Sequence, residues 1–254
     1  CYDEKIILDN INLDIEKGKI TALIGSNGCG KSTLIKAIAR ILAPKSGTIS
    51  MEDRDILKMP SKEVAKLLAM LPQSSNALED ITIYDLVKQG RYPYHTLLSF
   101  WSKRDEDIVL ESIKKVGLID EKDRTLNNLS GGQRQRAWIA MTLAQETDII
   151  MLDEPTTYLD MSYQLEVLEV LQKLNKEKQI TVVIVLHELN NACRFADNII
   201  GLKKGKIICE GRPIDVITKE SLKEIYGVGA NLQTSENGEY PICMEYELLR
   251  VELE

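Results

Sequence analysis

The amino-acid sequence predicts an α/β fold in which a mostly parallel β-sheet is interrupted by an inserted helical subdomain. Residues 148–152 and 180–186 form continuous apolar runs rich in β-branched side chains, as expected of strands buried on both faces. Between them, residues 162–178 follow a helical pattern, and strands that alternate with helices indicate parallel pairing. Residues 76–145 lack such β-branched runs, so this part of the chain is predicted to be helical.

The other elements are predicted from the same patterns, in chain order. The apolar run 20–24 ends at glycine-rich sequence and then turns into a helical pattern, which indicates a strand, a loop and a helix. Within the insertion, helices are predicted at 81–89, 104–116 and 133–143. The C-terminal part is predicted to hold a strand at 198–202, a hairpin turn at 203–206, a helix at 218–226 and an added strand pair within 231–254.

Length and composition narrow the class of protein. A chain of 254 residues fits one large domain or two small ones. Its 32 basic residues are outnumbered by 39 acidic ones, and the sequence has no strongly basic block, which argues against nucleic acid as a partner. The longest apolar runs, such as Ile180–Leu186, are much shorter than the roughly 20 residues of a membrane-spanning helix. Five scattered cysteines without a CxxC pair indicate neither zinc nor a redox dithiol, and they favour a reducing compartment.

The segment between the first predicted strand and helix carries the most specific motif. It reads GSNGCGKST and fits the pattern G-x-x-x-x-G-K-[ST] in full. In such a P-loop, backbone N–H groups surround phosphates, the lysine reaches the β- and γ-phosphates, and the hydroxyl that follows can bind Mg²⁺. The alternative is a chance Lys-Ser pair in a glycine-rich turn. It is disfavoured because a P-loop lies between a strand and a helix, and both are predicted here. The predicted ATP-binding residues here are Gly25, Ser26, Asn27, Gly28, Cys29, Gly30, Lys31, Ser32 and Thr33.

Two acidic residues follow the predicted strand 148–152. Asp153 would lie at the carboxyl edge of the sheet, where a P-loop protein needs a carboxylate to hold its metal ion. Glu154 beside it could orient or deprotonate an attacking water, which suits hydrolysis of a γ-phosphate. Taken alone, Asp-Glu-Pro after a strand is more often a helix cap and turn. The presence of the P-loop favours the catalytic interpretation.

A second predicted helix start has the composition of an anion-binding site. The residues Leu129-Ser130-Gly131-Gly132-Gln133 precede the helix predicted at 133–143. Ser130 is a natural N-cap, and the two glycines would let a ligand approach backbone N–H groups. The simpler interpretation of this segment is an ordinary helix start.

Together with the P-loop and the two acids, this segment resembles the signature loop of the nucleotide-binding subunit of an ATP-binding cassette (ABC) transporter. The resemblance covers nearly the whole chain and implies a P-loop NTPase (RecA-like) core with an N-terminal antiparallel β subdomain and an inserted α-helical subdomain. The core would comprise residues 1–73 and 147–254, and the insertion residues 74–146. It also implies a head-to-tail dimer that binds ATP and Mg²⁺, in which each copy contacts its partner's ATP through Ser130, Gly131, Gly132 and Gln133.

The resemblance assigns roles to two polar residues outside these motifs. Gln73 resembles the Q-loop glutamine, which ligates Mg²⁺ with Ser32 and Asp153 and senses the membrane partner. His187 follows the predicted strand 180–186 and resembles the switch histidine that contacts the γ-phosphate, a catalytic role beside that of Glu154.

The D-loop and the A-loop are identified in the same way. Asp160, in Thr157-Tyr158-Leu159-Asp160, resembles the D-loop aspartate that couples the two ATP sites, although Tyr158 replaces a residue that is usually small. Tyr2 resembles the aromatic A-loop residue that stacks on adenine.

Three stretches resemble the ATPases that power import of iron-siderophores, haem and vitamin B12. Import of ferric siderophores is the favoured interpretation, and import of haem or vitamin B12 is the alternative. For residues 91–94, the alternative is an ordinary turn in which the tyrosine side chains only pack. The three stretches are VKQGRYPY at 87–94, VLHELNNACRFAD at 185–197 and EGRPIDVIT at 210–218.

The family resemblance also implies partners and a location. The expected partners are integral membrane permease subunits, a second copy of the chain and, indirectly, a substrate-binding protein, with the chain peripheral to the cytoplasmic face of the cell membrane. Soluble ABC ATPases usually carry two cassettes or a long coiled-coil insertion, and neither fits 254 residues. A non-catalytic regulatory cassette is disfavoured by Glu154 and His187. A GTPase is disfavoured because Asn175–Lys178 lacks the aspartate of the NKxD element.

Overall fold

The computed structural model describes residues 6–73, 80–96, 100–157 and 159–249. The chain divides into two compact units, the first formed by residues 1–46 and 183–254 and the second by residues 47–182. The predicted subdomain boundaries at 73/74 and 146/147 both lie within the second unit, and they stay a prediction.

Strands and helices alternate along most of the described chain. The strands are β1 (Ile20–Gly25), β2 (Ser50–Met51), β3 (Arg54–Asp55), β4 (Leu68–Leu71), β5 (Ile149–Leu152), β6 (Thr181–Val185), β7 (Asn198–Lys203), β8 (Lys206–Gly211), β9 (Val228–Thr234) and β10 (Pro241–Leu248). The helices are α1 (Lys31–Ile38), α2 (Ser61–Leu67), α3 (Ile83–Lys88), α4 (Lys103–Lys115), α5 (Gly131–Ala144), α6 (Met161–Lys178), α7 (Leu189–Phe195), α8 (Pro213–Val216) and α9 (Lys219–Tyr226).

The first unit is built around β1, whose six residues are all buried. It pairs in parallel with β7, and Gly25 lies opposite Leu202. β7 then pairs antiparallel with β8, across a turn in which Lys204 and Gly205 both have positive φ. A hydrogen bond from the N–H of Leu186 to the carbonyl of Leu23 places the chain after β6 beside β1. The C-terminal strands β9 and β10 form an antiparallel pair, which confirms the predicted strand pair over the described residues.

The second unit contains the parallel pair β4 and β5, with Leu71 opposite Leu152. The antiparallel pair β2 and β3 precedes a small apolar cluster formed by Ile56, Met59 and Val64. Helices α3, α4 and α5 pack on one another through side chains that are fully buried, as the helical pattern predicts. The buried residues of this packing include Ile83, Leu86, Val109, Ile113, Ala137 and Ile139.

Two features of the described residues bear on the predictions. β4 was not predicted as a strand because it follows α2 directly, without a turn residue to separate the two. No helix within the described ranges is long and apolar enough to span a membrane.

Candidate functional site

The P-loop of the first unit follows β1 and ends where α1 begins. Gly25, Gly28 and Gly30 have φ values of 145°, 75° and 113°, a region that residues with a Cβ rarely adopt. At Gly25 a Cβ would also lie 2.3 Å from the carbonyl oxygen of Leu202. Gly30 is the N-cap of α1, so the first N–H groups of this helix face the loop without a capping side chain. This conformation therefore requires the glycines that the motif supplies.

Lys31 is held inside this loop. Its side chain is 4% exposed, and Nζ donates hydrogen bonds of 2.7 Å to the Gly25 carbonyl and 3.2 Å to the Ser26 carbonyl. Because a buried ammonium needs such acceptors, the loop conformation and the position of the charge depend on each other. The arrangement places a positive charge beside a helix N-terminus, which suits a phosphate ligand.

The other P-loop residues differ in exposure. Ser26, Asn27 and Gly28 are exposed at the tip, and Ser32 and Thr33 are half-buried in α1. Cys29 is 3% exposed and its N–H donates to the carbonyl of Ser26 at 3.2 Å, so this residue closes the turn.

Tyr226, which the sequence did not predict as a site residue, contacts the backbone of the P-loop. The hydroxyl oxygen of Tyr226 accepts a 3.0 Å hydrogen bond from the N–H of Gly25. No local pattern could reveal this pair because the two residues are 201 positions apart.

His187 also lies in the first unit. It follows β6 and its side chain is exposed. Since Leu186 bonds to Leu23 of β1, His187 comes at the carboxyl end of a strand beside the one that leads into the P-loop. Functional side chains commonly occur at this edge of an α/β sheet.

In the second unit, Gln73, Asp153 and Glu154 follow the paired strands β4 and β5. The N–H of Asp153 donates to the carbonyl of Leu71 at 3.0 Å, and the residue is 1% exposed. Gln73 Nε2 donates to Glu154 Oε2 at 2.5 Å, and Thr157 Oγ1 donates to the same oxygen at 3.3 Å. The structure thus brings three of the predicted residues together at one strand edge.

The signature segment forms a helix N-terminus, as predicted. Ser130 caps α5 by accepting from the N–H of Gln133 at 3.2 Å, and Gln133 Oε1 accepts in return from the N–H of Ser130 at 3.1 Å. A Cβ at Gly132 would lie 2.7 Å from Cγ of Tyr163, whereas a Cβ at Gly131 would come no closer than 3.8 Å to the Leu159 side chain. Gly132 is therefore needed for the packing of α5 on α6.

Asp160 is the N-cap of α6. Its Oδ1 accepts from the N–H of Tyr163 at 3.2 Å and from Oγ of Ser162 at 2.8 Å. These hydrogen bonds, with that from the backbone of Tyr163 the largest effect, lower the pKa of Asp160. The Asp160 carboxylate thus lies at the start of α6, the helix that packs on Gly132 of α5 through Tyr163.

The importer-like stretch at 87–94 is part of the packing of the second unit. Arg91 is 3% exposed and donates to Asp105 Oδ1, to Glu146 Oε2 and to the carbonyl of Ala144, each at 2.9–3.0 Å. Its guanidinium also lies 4.1 Å from the ring centre of Tyr94. The side chains of Arg91 and Tyr94 thus have a structural role, as the packing alternative proposed. Tyr2 and Tyr158 lie outside the described residues.

Residues 8–157 match the family described as ABC transporter. The chain belongs to this family. Membership confirms the predicted P-loop NTPase fold and the predicted enzyme class, an ATPase whose hydrolysis is coupled to transport.

Individual members of the ABC transporter family are similar to most of the chain. The probable siderophore transport system ATP-binding protein YusV of Bacillus subtilis (strain 168) is 51% identical, over 96% of this chain and 89% of that protein. An inward-facing conformation of a putative metal-chelate type ABC transporter has a TM-score of 0.83 at 27% identity, over 98% of this chain and 94% of the other. A dimeric post-hydrolysis state of an ATP-binding cassette bound to ADP and Pi has a TM-score of 0.72 at 31% identity, over 81% and 90%.

Proposed function

We propose that this chain is the ATP-hydrolysing subunit of an importer that takes up ferric siderophores or related iron chelates. The observation that carries the ATPase part is the buried Lys31 ammonium, held by the carbonyls of a P-loop that leads into α1. The choice of cargo is supported by the 51% identity to a probable siderophore transport ATP-binding protein and by the likeness to a metal-chelate type transporter.

Hydrolysis is assigned to Glu154 as the general base and to His187 as the γ-phosphate contact. The hydrogen bond from Gln73 supports this assignment because it fixes the orientation of the Glu154 carboxylate, as a general base requires. Glu154 also has a φ of 55°, which costs a non-glycine residue about 1 kcal/mol and is common where function demands a conformation.

Ser32, Gln73 and Asp153 are proposed to hold Mg²⁺. Their hydroxyl, amide and carboxylate oxygens are the hard donors that this ion prefers. Since Gln73 donates to Glu154 through Nε2, its Oε1 is the atom with the chemistry of a ligand. When bound, Mg²⁺ would supply charge that offsets the phosphates, while the residues of the chain orient the water and bind the nucleotide.

A second copy of the chain is the proposed dimer partner. The N-terminus of α5, with Ser130 as its cap, offers backbone N–H groups to an anion, which suits the γ-phosphate of the other copy's ATP. The dimeric state of a similar cassette supports this arrangement. Asp160 is assigned to coupling between the two sites, and Tyr2 to stacking on adenine.

Membrane permease subunits are the other proposed partners, and a substrate-binding protein acts through them. The chain would then work at the cytoplasmic face of the membrane as a peripheral subunit. Residues 74–146 are the proposed contact with the permease, since α3, α4 and α5, in the described part of this range, pack on one another. Nucleic acid is not a proposed partner because the net charge is −7.

The assignment of the P-loop residues is tested by calorimetry with ATP and the Lys31→Ala variant. We expect the wild type to bind ATP and the variant to lose binding, because the charge inside the loop is gone. Lys36→Ala, in the same helix, is the matched control. Equal ATP affinity of the wild type and Lys31→Ala would reject the P-loop assignment.

The cargo is tested by uptake of labelled compounds into cells that lack this chain. We expect uptake of ferric siderophore to fall and to be restored by the wild type but not by Glu154→Gln. Loss of haem or vitamin B12 uptake instead would favour the alternative cargo. Unchanged uptake of all three would reject the proposed group of cargoes.

A further inference from the structure

Tyr226 contacts the P-loop although it is 201 positions from Gly25 in the chain. It is the last residue of α9, and its Oη accepts a 3.0 Å hydrogen bond from the N–H of Gly25. It lies outside residues 8–157, over which the chain matches the family. We propose that Tyr226 is a positioning residue that holds the P-loop in its nucleotide-binding conformation, an inference that rests on the proposed function.

Gly25 links the hydrogen bond with Tyr226 to the position of Lys31 in the P-loop. Its N–H is bound by Tyr226, and its carbonyl accepts the 2.7 Å hydrogen bond from Lys31 Nζ. On the other side, the backbone lies so close to β7 that a Cβ would clash with the Leu202 carbonyl. The peptide groups on both sides of Gly25 are thus held by hydrogen bonds, and the residue is also packed closely on β7. These contacts fix the position of the carbonyl oxygen that accepts from Lys31.

The position of Tyr226 is in turn determined by the packing of α9. This helix ends at Gly227, which has a φ of 74° and donates its N–H to the carbonyl of Lys223. The preceding residue, Ile225, packs so closely on Gly201 of β7 that a Cβ there would lie 2.6 Å from Ile225 Cδ1. Because α9 packs tightly on β7, it holds the phenol oxygen of Tyr226 in position next to Gly25.

The phenol is a neutral acceptor throughout the physiological range. Burial raises the pKa of Tyr226 to about 12, although the N–H of Gly25 acts in the opposite direction. If the hydroxyl is removed, the N–H of Gly25 loses its hydrogen-bond partner in a half-buried position. Because an unsatisfied buried donor costs free energy, the P-loop conformation seen here becomes less favourable than others.

The test is Tyr226→Phe, which removes one oxygen and keeps the ring. We expect the dissociation constant for ATP to rise about tenfold, and kcat at saturating ATP to change by less than about twofold, because uniform binding is lost while the hydrolytic residues are untouched. Calorimetry gives the first quantity and phosphate release gives the second.

Tyr84→Phe is the matched control. Tyr84 of the second unit donates a 2.5 Å hydrogen bond to Glu106, so this variant removes the same oxygen from a hydrogen bond that involves neither Gly25 nor Lys31. We expect both variants to lower the melting temperature, and only Tyr226→Phe to weaken ATP binding. If Tyr226→Phe binds ATP as the wild type does, or if Tyr84→Phe weakens binding equally, the positioning role is rejected. Failure of the wild type to bind ATP would instead reject the proposed function.

A measurement on the wild type keeps the proposal testable if Tyr226→Phe does not fold. Amide hydrogen exchange followed by NMR should be slow for Gly25, because its N–H is bonded to a buried phenol. Exchange at Gly25 as fast as at the exposed residues Asn27 and Gly28 would overturn the proposal.

Discussion

Gln73 Nε2 donates a 2.5 Å hydrogen bond to Oε2 of Glu154 and thereby joins the chain after β4 to the chain after β5. The two strands are parallel neighbours, so residues 81 positions apart meet at one edge. Because Gln73 contacts the proposed general base, a substitution at this residue should alter the orientation of the Glu154 carboxylate and thereby the rate of hydrolysis.

Glu154→Gln should abolish turnover and keep nucleotide binding. The amide cannot accept a proton from water, so we expect phosphate release to fall by at least about 100-fold. Size-exclusion chromatography with ATP should then show a stable dimer, since the closed pair is not reopened. The exposed Glu247→Gln variant should behave as the wild type. Wild-type turnover in Glu154→Gln would show that another residue is the base.

Gln73→Leu should lower kcat about tenfold, because the Glu154 carboxylate loses the partner that orients it. Steady-state ATPase assays at saturating Mg²⁺ and ATP measure this effect. An unchanged kcat would mean that the hydrogen bond does not serve hydrolysis.

Gly132→Ala should be more damaging than Gly131→Ala. A Cβ at Gly132 meets the Tyr163 ring at 2.7–2.8 Å, so we expect a loss of about 1–3 kcal/mol in the free energy of unfolding. Gly131 has room for a methyl group, and the substitution there should be nearly neutral in stability. Urea unfolding compares the two variants, and the double variant Gly132→Ala/Tyr163→Ala should remove the clash. Equal stability of the two single variants would contradict this packing.

Asp105 should make stability depend on pH below about pH 4. Burial acts to raise its pKa, but hydrogen bonds from Ser102 and Arg91 outweigh it and lower the pKa to about 2. Because the pKa of Asp105 is lower in the folded state than the unfolded value of 3.8, the ionised carboxylate stabilises the fold at pH values above 3.8. This contribution to the free energy of unfolding is about 2 kcal/mol, and it is lost as the pH falls toward 2.

Asp105→Asn tests this contribution through melting temperatures between pH 7 and pH 2. We expect the variant to be less stable at neutral pH, because Arg91 loses a buried partner, and to show a weaker decline in acid. Asp107→Asn, an exposed position in the same helix, is the control. Parallel pH profiles for Asp105→Asn and the wild type would contradict the assignment.

The sequence predicted the strands, helices and caps whose signals are local. The P-loop follows a strand and opens a helix as its motif requires, and Ser130 caps α5. β4 escaped prediction because its four residues continue the apolar pattern of α2 without a break. Arg91 was assigned from a motif, whereas the structure gives it hydrogen bonds to Asp105 and Glu146 that spacing could not reveal.

By itself, the sequence determined the family, the phosphate-binding motif and the acidic pair Asp153 and Glu154, because each of these depends on residues that are adjacent in the chain. Only the tertiary structure decided which distant residues support them: Gln73 on Glu154, Tyr163 against Gly132 and Tyr226 on Gly25. The physical reason is that strand pairing and helix packing bring together side chains separated by tens to hundreds of residues, and no local pattern records the partner.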